Sequence, residues 1–327
     1  MQTPAQAMAE PKRVLMLGAT GTIGRATLRA LVARGHQVTC ILRRPSPDLP
    51  AGAICRLADV TDAASLARDG ICGDRFDVLL SCMASRSGAP ADAWAIDHAA
   101  HMTALGQAKA AGVAQMVLLS AICVQKPVLA FQHAKLAFEA ALLASGLTYS
   151  IVRPTAYFKS ISGQLDRLRK GKPFLVFGNG ALTACKPISD ADLAEYLADC
   201  LHDTTRHNRI LPIGGPGPAI TPREQGEMLF HALGLPPKFR QVPVGLLDTI
   251  IAALSALGTF APSLRDKAEL ARIGRYYATQ SMLVLNPLTG RYDADRTPST
   301  GQDTLQDFYA DLAAGRVRVD RGDHAVF

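Results

Sequence analysis

The chain has 327 residues, 48% hydrophobic and 19% charged, with seven cysteines and a formal charge of +7. That balance excludes a disordered or fibrous chain and allows one large α/β domain, or a nucleotide domain with a smaller partner. The positive excess is spread thinly, with 15 basic and 10 acidic residues over 1–154 and 20 and 18 over 155–327. There is no basic tail or lysine block, so nucleic acid is not expected as a partner.

Residues 1–12 read as a disordered tail without the apolar run a signal peptide needs, and a cytoplasmic protein is expected. The spacing then predicts parallel strands at 13–19, 37–43, 53–60, 76–84, 115–122 and 148–154, with helices at 23–34, 94–111 and 133–145 between them. This alternation is that of an α/β protein with a Rossmann-type, doubly wound parallel sheet. Near-continuous apolar strands fit burial on both faces of such a sheet. Residues 13–155 form the nucleotide domain in this reading. Residues 156–327 form a smaller C-terminal substrate-binding region, partly interleaved with the first. Its expected elements are a basic amphipathic stretch at 157–172, a strand and hairpin at 174–187, a helix opened by Ser189–Asp190, a strand at 209–214, and a helix begun by the capping box at Thr221–Glu224. Two further helices are expected at 263–278 and 303–314. Residues 242–264 are nearly long enough to cross a bilayer if helical, but Pro243, Asp248 and Pro262 argue for a helix that is buried or touches a membrane or a substrate cleft. The cysteines at 40, 55, 72, 82, 123, 185 and 200 are scattered, show no metal-ligand spacing, and read as buried reduced thiols, so no metal is expected.

The first strand runs into Gly18-Ala19-Thr20-Gly21-Thr22-Ile23-Gly24, which opens a helix. A pyrophosphate at a helix N-terminus needs a tight turn at the first glycine, close backbone approach at the second and helix–strand packing at the third. The GxxGxxG spacing is that of extended short-chain dehydrogenases. NAD-binding units usually place a carboxylate about 20 residues further on, at the end of the second strand. Arg43 and Arg44 stand there instead. Two guanidiniums favour a 2′-phosphate, and the expected cofactor is NADPH. Asp59 and Val60 at the end of the third strand, and Ser81 and Cys82 at the end of the fourth, would flank the adenine and the ribose.

Short-chain dehydrogenases that reduce carbonyls use a tyrosine four residues before a lysine. Lys135 occupies the lysine position, but Phe131 stands where the phenol belongs. Lys135 is left to bind the nicotinamide ribose or orient a water, with Ser120 at the end of the fifth strand as a cofactor neighbour. His133 is a candidate acid, since imidazole titrates near neutral pH. Arg153-Pro154-Thr155-Ala156-Tyr157-Phe158 closes the sixth strand at the sheet edge where ligands of open α/β sheets bind. Pro154 and Thr155 would meet the nicotinamide carboxamide, and Tyr157 is the best phenolic replacement.

The glycine motif, the two arginines, Lys135 without its tyrosine, and RPTAYF together resemble the atypical short-chain reductases of the NmrA-like and isoflavone-reductase-like type. More narrowly, HAKLAFEA (133–140), RPTAYFKSISGQ (153–164), FGNGALTACKPISDADLA (177–194), ARIGRYYATQSMLVL (271–285), YDADRTPSTGQDTL (292–305) and GDHAVF (322–327) resemble the divinyl chlorophyllide 8-vinyl reductase family. The resemblance implies an oxidoreductase of chlorophyll or bacteriochlorophyll biosynthesis. Its substrate would be divinyl chlorophyllide or protochlorophyllide, and NADPH would reduce the 8-vinyl group to ethyl. No carbonyl oxygen is protonated in that reaction, so Phe131 is tolerable. Plant members carry a plastid-targeting extension that is not seen here, which favours a photosynthetic bacterium. The apolar run at 242–264 and the basic stretch at 159–186 leave open a peripheral contact at photosynthetic membranes. A flat macrocycle needs apolar surfaces, for which Phe158, Tyr276 and Tyr277 are candidates. The six basic residues between 159 and 186 could meet its propionate. Two alternatives share the glycine loop: a non-enzymatic NADP-sensing regulator, and a reductase of another conjugated alkene.

Overall fold

In a computed structural model of the chain, residues 10–259 and 261–317 are described. Residues 1–9 of the expected 1–12 tail and the GDHAVF stretch lie outside them. Seven parallel strands form one sheet in the order β3-β2-β1-β4-β5-β6-β8. They are β1 (Arg13–Leu17), β2 (Gln37–Leu42), β3 (Ile54–Leu57), β4 (Val78–Ser81), β5 (Gln115–Leu119), β6 (Thr148–Pro154) and β8 (Arg209–Ile213). The order reverses between β1 and β4. This leaves a crevice at the C-terminal edge of the strands.

Alternation along β1 shows why the strands are apolar throughout. Val14 and Met16 face one core, with Leu28 and Leu31 of helix Thr22–Ala33 and Leu193 and Leu197 of helix Asp190–Asp199. Leu15 and Leu17 face the other, with Ala104 and Ala108 of helix His101–Ala110 and Phe138 and Leu142 of helix Ala130–Leu143. At the edge, β3 departs from the expected two-sided burial: Ile54 and Leu57 are exposed on the last strand of the sheet. Lys12, placed in the tail by the sequence, is held by the fold. Its ammonium donates to the Gln115 side chain at 3.1 Å and the Leu201 carbonyl at 2.8 Å.

The second half contributes to this sheet as well as covering it. β8 pairs in parallel with β6, and helix Asp190–Asp199 packs on helix Thr22–Ala33. The Ser189 hydroxyl caps that helix by accepting from Asp192 N–H at 3.0 Å. The capping box at Thr221 forms as expected, with Thr221 N–H donating to Glu224 at 2.7 Å, and opens helix Pro222–Ala232. The hairpin at 174–187 does not form: β7 (Phe174–Phe177) pairs instead in parallel with the distant β9 (Phe239–Val242). The basic stretch forms two short helices, Phe158–Ile161 and Leu165–Arg169. A third core of Phe158, Leu168, Phe174, Leu229 and Tyr309 holds these pieces together. A fourth, of Phe131, Leu129, Ala134, Ile273 and Tyr276, joins helix Pro262–Thr279 to the nucleotide half.

Two expectations about burial need correction. Cys55 and Cys72 are exposed; Cys40, Cys123 and Cys200 are buried, and all seven thiols are free. Residues 244–257 do form a helix, but none of its residues is buried. No helix among the described residues is long and apolar enough to cross a membrane.

Candidate functional site

The glycine turn sits at the crevice. Gly18 has φ +76°, and a Cβ there would stand 2.5 Å from the Cys82 and Met83 backbone. At Gly24 a Cβ would come within 2.0 Å of the Gly18 carbonyl oxygen. These two glycines are therefore demanded by the protein's own packing. Gly21 is different: a Cβ there would meet only the Gly18 oxygen, at 3.6 Å, so the space beside it is open to a ligand. Gly21 also begins helix Thr22–Ala33, whose first turn has neither a side-chain cap nor an acidic residue. Its free N–H groups and positive dipole end suit a pyrophosphate. Ile23 is buried in the core behind the turn, and Thr20 is exposed.

Lys159 reaches this turn from the other half of the chain, its ammonium donating to Thr22 Oγ1 at 2.9 Å. No local pattern announces this contact, because 137 residues separate the two. Arg43 and Arg44 are exposed just past β2 and make no ion pair within 4 Å among the described residues. Asp59 is exposed, and hydrogen bonds from Thr61 hold its carboxyl below the usual range, with Arg43 adding to the effect. Val60 is a core residue.

Deeper in the crevice, helix 90–110 widens into π-type turns over Trp94–Ala100. Such widening often marks functional sites. Here it includes Asp97, whose side chain is fully buried. The carboxylate accepts from Lys135 Nζ at 3.0 Å, from Ser85 Oγ at 2.6 Å and from Ser85 N–H at 3.2 Å. One turn on, His101 Nδ1 donates to the Ile96 carbonyl, so Nε2 accepts the Ser81 hydroxyl at 2.8 Å. Burial, then the Lys135 charge, lowers the His101 pKa to about 4 and keeps the ring neutral.

Gln132, one helical turn before Lys135, anchors the start of helix Ala130–Leu143. The Gln132 carbonyl oxygen accepts from Val128 N–H and Leu129 N–H, and its NH2 donates to the Cys123 carbonyl at 3.0 Å. The same carbonyl accepts the Tyr276 hydroxyl at 2.8 Å. Cys123 thus ties helix Ala130–Leu143 to helix Pro262–Thr279. Tyr277, next to this tie, directs its hydroxyl to Cys123 Sγ at 3.8 Å while 37% of the residue remains exposed. Half-buried Tyr157 enters from the end of β6. Its phenol is held well above its ordinary pKa by burial, with Cys82, Asp190 and Cys123 adding to the shift. Tyr277 is also raised well above its ordinary value, by burial, then Cys123, with Tyr157 among the smaller causes. Desolvation lifts Cys82 to about 12 and also raises Cys123. Tyr157, Tyr277, Cys123 and the Lys135–Asp97 pair are therefore brought together. Cys123 and Asp97 were missed from sequence, since neither lies in a motif.

Other expected site residues are used differently. His133 is exposed on its helix, and its imidazole makes no hydrogen bond among the described residues. Ser120 is buried and donates to Glu139 at 2.5 Å, and Glu139 pairs with Arg153, so the hydroxyl serves the interior rather than a ligand. The Thr155 hydroxyl donates to the Lys186 carbonyl, and Pro154 is buried. Phe158 is 3% exposed, packed on Phe308 at 5.4 Å in the third core, and Tyr276 is 4% exposed with its hydroxyl satisfied. Both are packing residues, not open substrate surfaces; Tyr277 alone of the three keeps an exposed face. Arg167 and Arg169 donate to the Pro173 and Leu312 carbonyls and Lys186 to the Thr297 carbonyl, which leaves little of the basic stretch for a propionate.

An NAD(P)H-binding family model matches residues 18–204. An NADPH-dependent quinone oxidoreductase from Escherichia coli, solved with NADPH, is 21% identical, with a TM-score of 0.65 over 91% of this chain and 99% of its own, which shows the shared fold. Two chloroplastic divinyl chlorophyllide a 8-vinyl-reductases are much nearer in sequence. That of Zea mays is 46% identical over 96% of this chain and 82% of its own length, and that of Cucumis sativus 47% over 96% and 79%. These matches run through both halves, the glycine turn and the Tyr276–Tyr277 helix alike, and the chain belongs to the divinyl chlorophyllide a 8-vinyl-reductase family.

Proposed function

We infer that this protein is an NADPH-dependent oxidoreductase that reduces the 8-vinyl group of a divinyl chlorophyllide to ethyl in chlorophyll-type pigment biosynthesis. The observation that carries this reading is the match to the plant reductases over 96% of the chain. A nucleotide-binding half alone would be shared with many unrelated reductases.

The residues present fit the cofactor. The open space at Gly21, the uncapped N-terminus of helix Thr22–Ala33 and the Lys159 ammonium suit the pyrophosphate. Arg43 and Arg44, exposed without ion pairs among the described residues, suit a 2′-phosphate. When bound, the reduced nicotinamide supplies the hydride. What remains for the chain is to hold the pigment, exclude water and deliver one proton. Tyr157 is our candidate donor: a phenol is protonated at neutral pH, and burial makes this one a weaker acid still, so the proton leaves only for a strongly basic centre such as a reduced, charge-rich macrocycle. Lys135, fixed by Asp97, keeps a positive charge beside that centre. The exposed face of Tyr277 offers an apolar wall for the ring. His133 has no part in this scheme, because it lies on the exposed face of its helix.

Incubation with NADPH and divinyl chlorophyllide tests the reading. The expected result is a shift of the Soret absorption to that of the monovinyl product, with one NADPH oxidised per vinyl group. Stoichiometric NADPH binding with no oxidation would sink it in favour of an NADP-sensing regulator.

A further inference from the structure

Helix Val244–Leu257 is made almost wholly of apolar residues, yet buries none of them. Its half-buried positions, Val244, Leu247, Ile251 and Leu254, recur at helical spacing, as expected for the side that packs on helix Pro262–Thr279. The packing is pinned by the Asp248–Arg275 ion pair and by Arg272 donating to Ser255 Oγ at 2.7 Å. A second stripe, Leu246, Ile250, Ala253 and Leu257, has the spacing of one face and stands in solvent, with Leu246 50% and Leu257 55% exposed. A contiguous apolar stripe left open on a folded protein marks an interaction surface.

The charges around the stripe select its occupant. Exposed Lys238 and Arg240 precede the helix, and exposed Arg265 and Lys267 follow its turn. Of the three acids between 235 and 275, Asp248 is paired with Arg275 and the buried Glu269 with Arg272, which leaves Asp266 alone among these basic groups. An apolar stripe with cations at both ends matches an anionic lipid surface, where side chains enter the acyl boundary and ammonium and guanidinium groups meet the headgroups. A second copy fits less well, because a two-fold interface along this helix brings basic ends against basic ends in either orientation. At 14 residues the helix is too short to span a bilayer. We propose that helix Val244–Leu257 docks the protein, lying flat, on an anionic lipid bilayer. The proposal is independent of the reductase reading, since binding is measured without substrate.

Flotation of the full chain with vesicles of about 30 mol% phosphatidylglycerol in phosphatidylcholine, against phosphatidylcholine alone, tests it. The wild type should partition to the anionic vesicles at least about tenfold more strongly, and lose that preference at about 0.5 M salt. The variant Leu246→Ser/Ile250→Ser/Leu257→Ser should bind at least about tenfold more weakly at an unchanged melting temperature, since these side chains are already solvated. The variant Lys238→Gln/Arg240→Gln/Lys267→Gln should bind both vesicle types equally. NADPH binding, read by nucleotide fluorescence, should be the same in all three proteins. Wild-type protein that stays with the soluble fraction overturns the proposal, as does a serine variant that floats like the wild type. So does a wild-type dimer in light scattering that the serine variant converts to monomer.

Discussion

Helix Thr22–Ala33 buries seven of its twelve residues, whereas the more apolar helix Val244–Leu257 buries none of its fourteen. The first packs on both the sheet and helix Asp190–Asp199, so even Gly24 and Thr27 are enclosed, with Ile23, Ala26, Leu28, Ala30 and Leu31. The second packs along one side on helix Pro262–Thr279. Burial is decided by how many neighbours the topology supplies, and composition sets only what that burial is worth. The two regions should therefore answer substitutions in opposite ways.

The greatest sensitivity should lie in the enclosed region, at its buried ion pair. Asp97→Ala leaves the Lys135 ammonium without a counter-charge and two Ser85 donors without an acceptor, and should lower unfolding free energy by about 3–5 kcal/mol. Adding Lys135→Met should recover most of that loss in urea denaturation, because an apolar pair needs no solvation. It should not recover vinyl reduction if the charge serves the reaction. A loss under about 1 kcal/mol for Asp97→Ala would mean that water reaches the site and that enclosure is not what distinguishes it.

A smaller effect should separate exposure from idleness. Arg43 and Arg44 are as exposed as the outer stripe of helix Val244–Leu257, so Arg43→Ser/Arg44→Ser should leave the melting temperature unchanged. It should nonetheless raise KM for NADPH about tenfold to hundredfold with little change in kcat, and leave NADH utilisation nearly as it was. Equal losses with both nucleotides would assign the arginines to general electrostatics and remove the argument for a 2′-phosphate.

Acid should act first on the enclosed region. His36 stacks on His202 at 5.3 Å below the sheet, and burial, with His202, Arg34 and Lys12 adding positive charge, lowers the His36 pKa to about 4. His101 is lowered to about 4 as well, chiefly by burial. Both are bases whose folded pKa lies below the ordinary 6.5, so between those values the unfolded chain binds more protons. Their contribution is fully present above about pH 6.5 and is lost progressively toward pH 4. Melting temperature should fall over that window, and His36→Gln should flatten the slope; an unchanged slope would place the acid sensitivity elsewhere.

Legibility in the sequence followed the same division. The glycine turn, Arg43 and Arg44 and the six first strands could be read because each depends on residues close together in the chain. Thr221 and Glu224 were read correctly for the same reason. The pairing of β7 with β9 could not be, because Phe174 and Phe239 are brought together only by tertiary packing. The candidate site is divided: Lys135, Tyr157 and Tyr277 were each named from their own segment, but Asp97 and Cys123, and the meeting of all five, were not. Asp97, Cys123, Lys135, Tyr157 and Tyr277 come from five separate segments, and nothing local in any of them announces the others. Phe158 and Tyr276 were assigned to substrate on aromatic character, which core and cleft residues share.

The smallest expected effect is also the most direct comparison of the two helices. Leu28 is fully buried, and Leu28→Ala should cost about 2–5 kcal/mol through lost burial and the cavity left behind. Leu246 is 50% exposed at the same kind of position, the apolar stripe of a helix, and Leu246→Ser should change stability by no more than about 0.5 kcal/mol in buffer. Added anionic vesicles sharpen the contrast. Binding to the folded state stabilises it by mass action, so wild type should then melt higher while Leu246→Ser gains less. A large loss for Leu246→Ser in buffer alone would mean that something already covers this helix in solution, and the difference between the two helices would then be one of partners rather than of exposure.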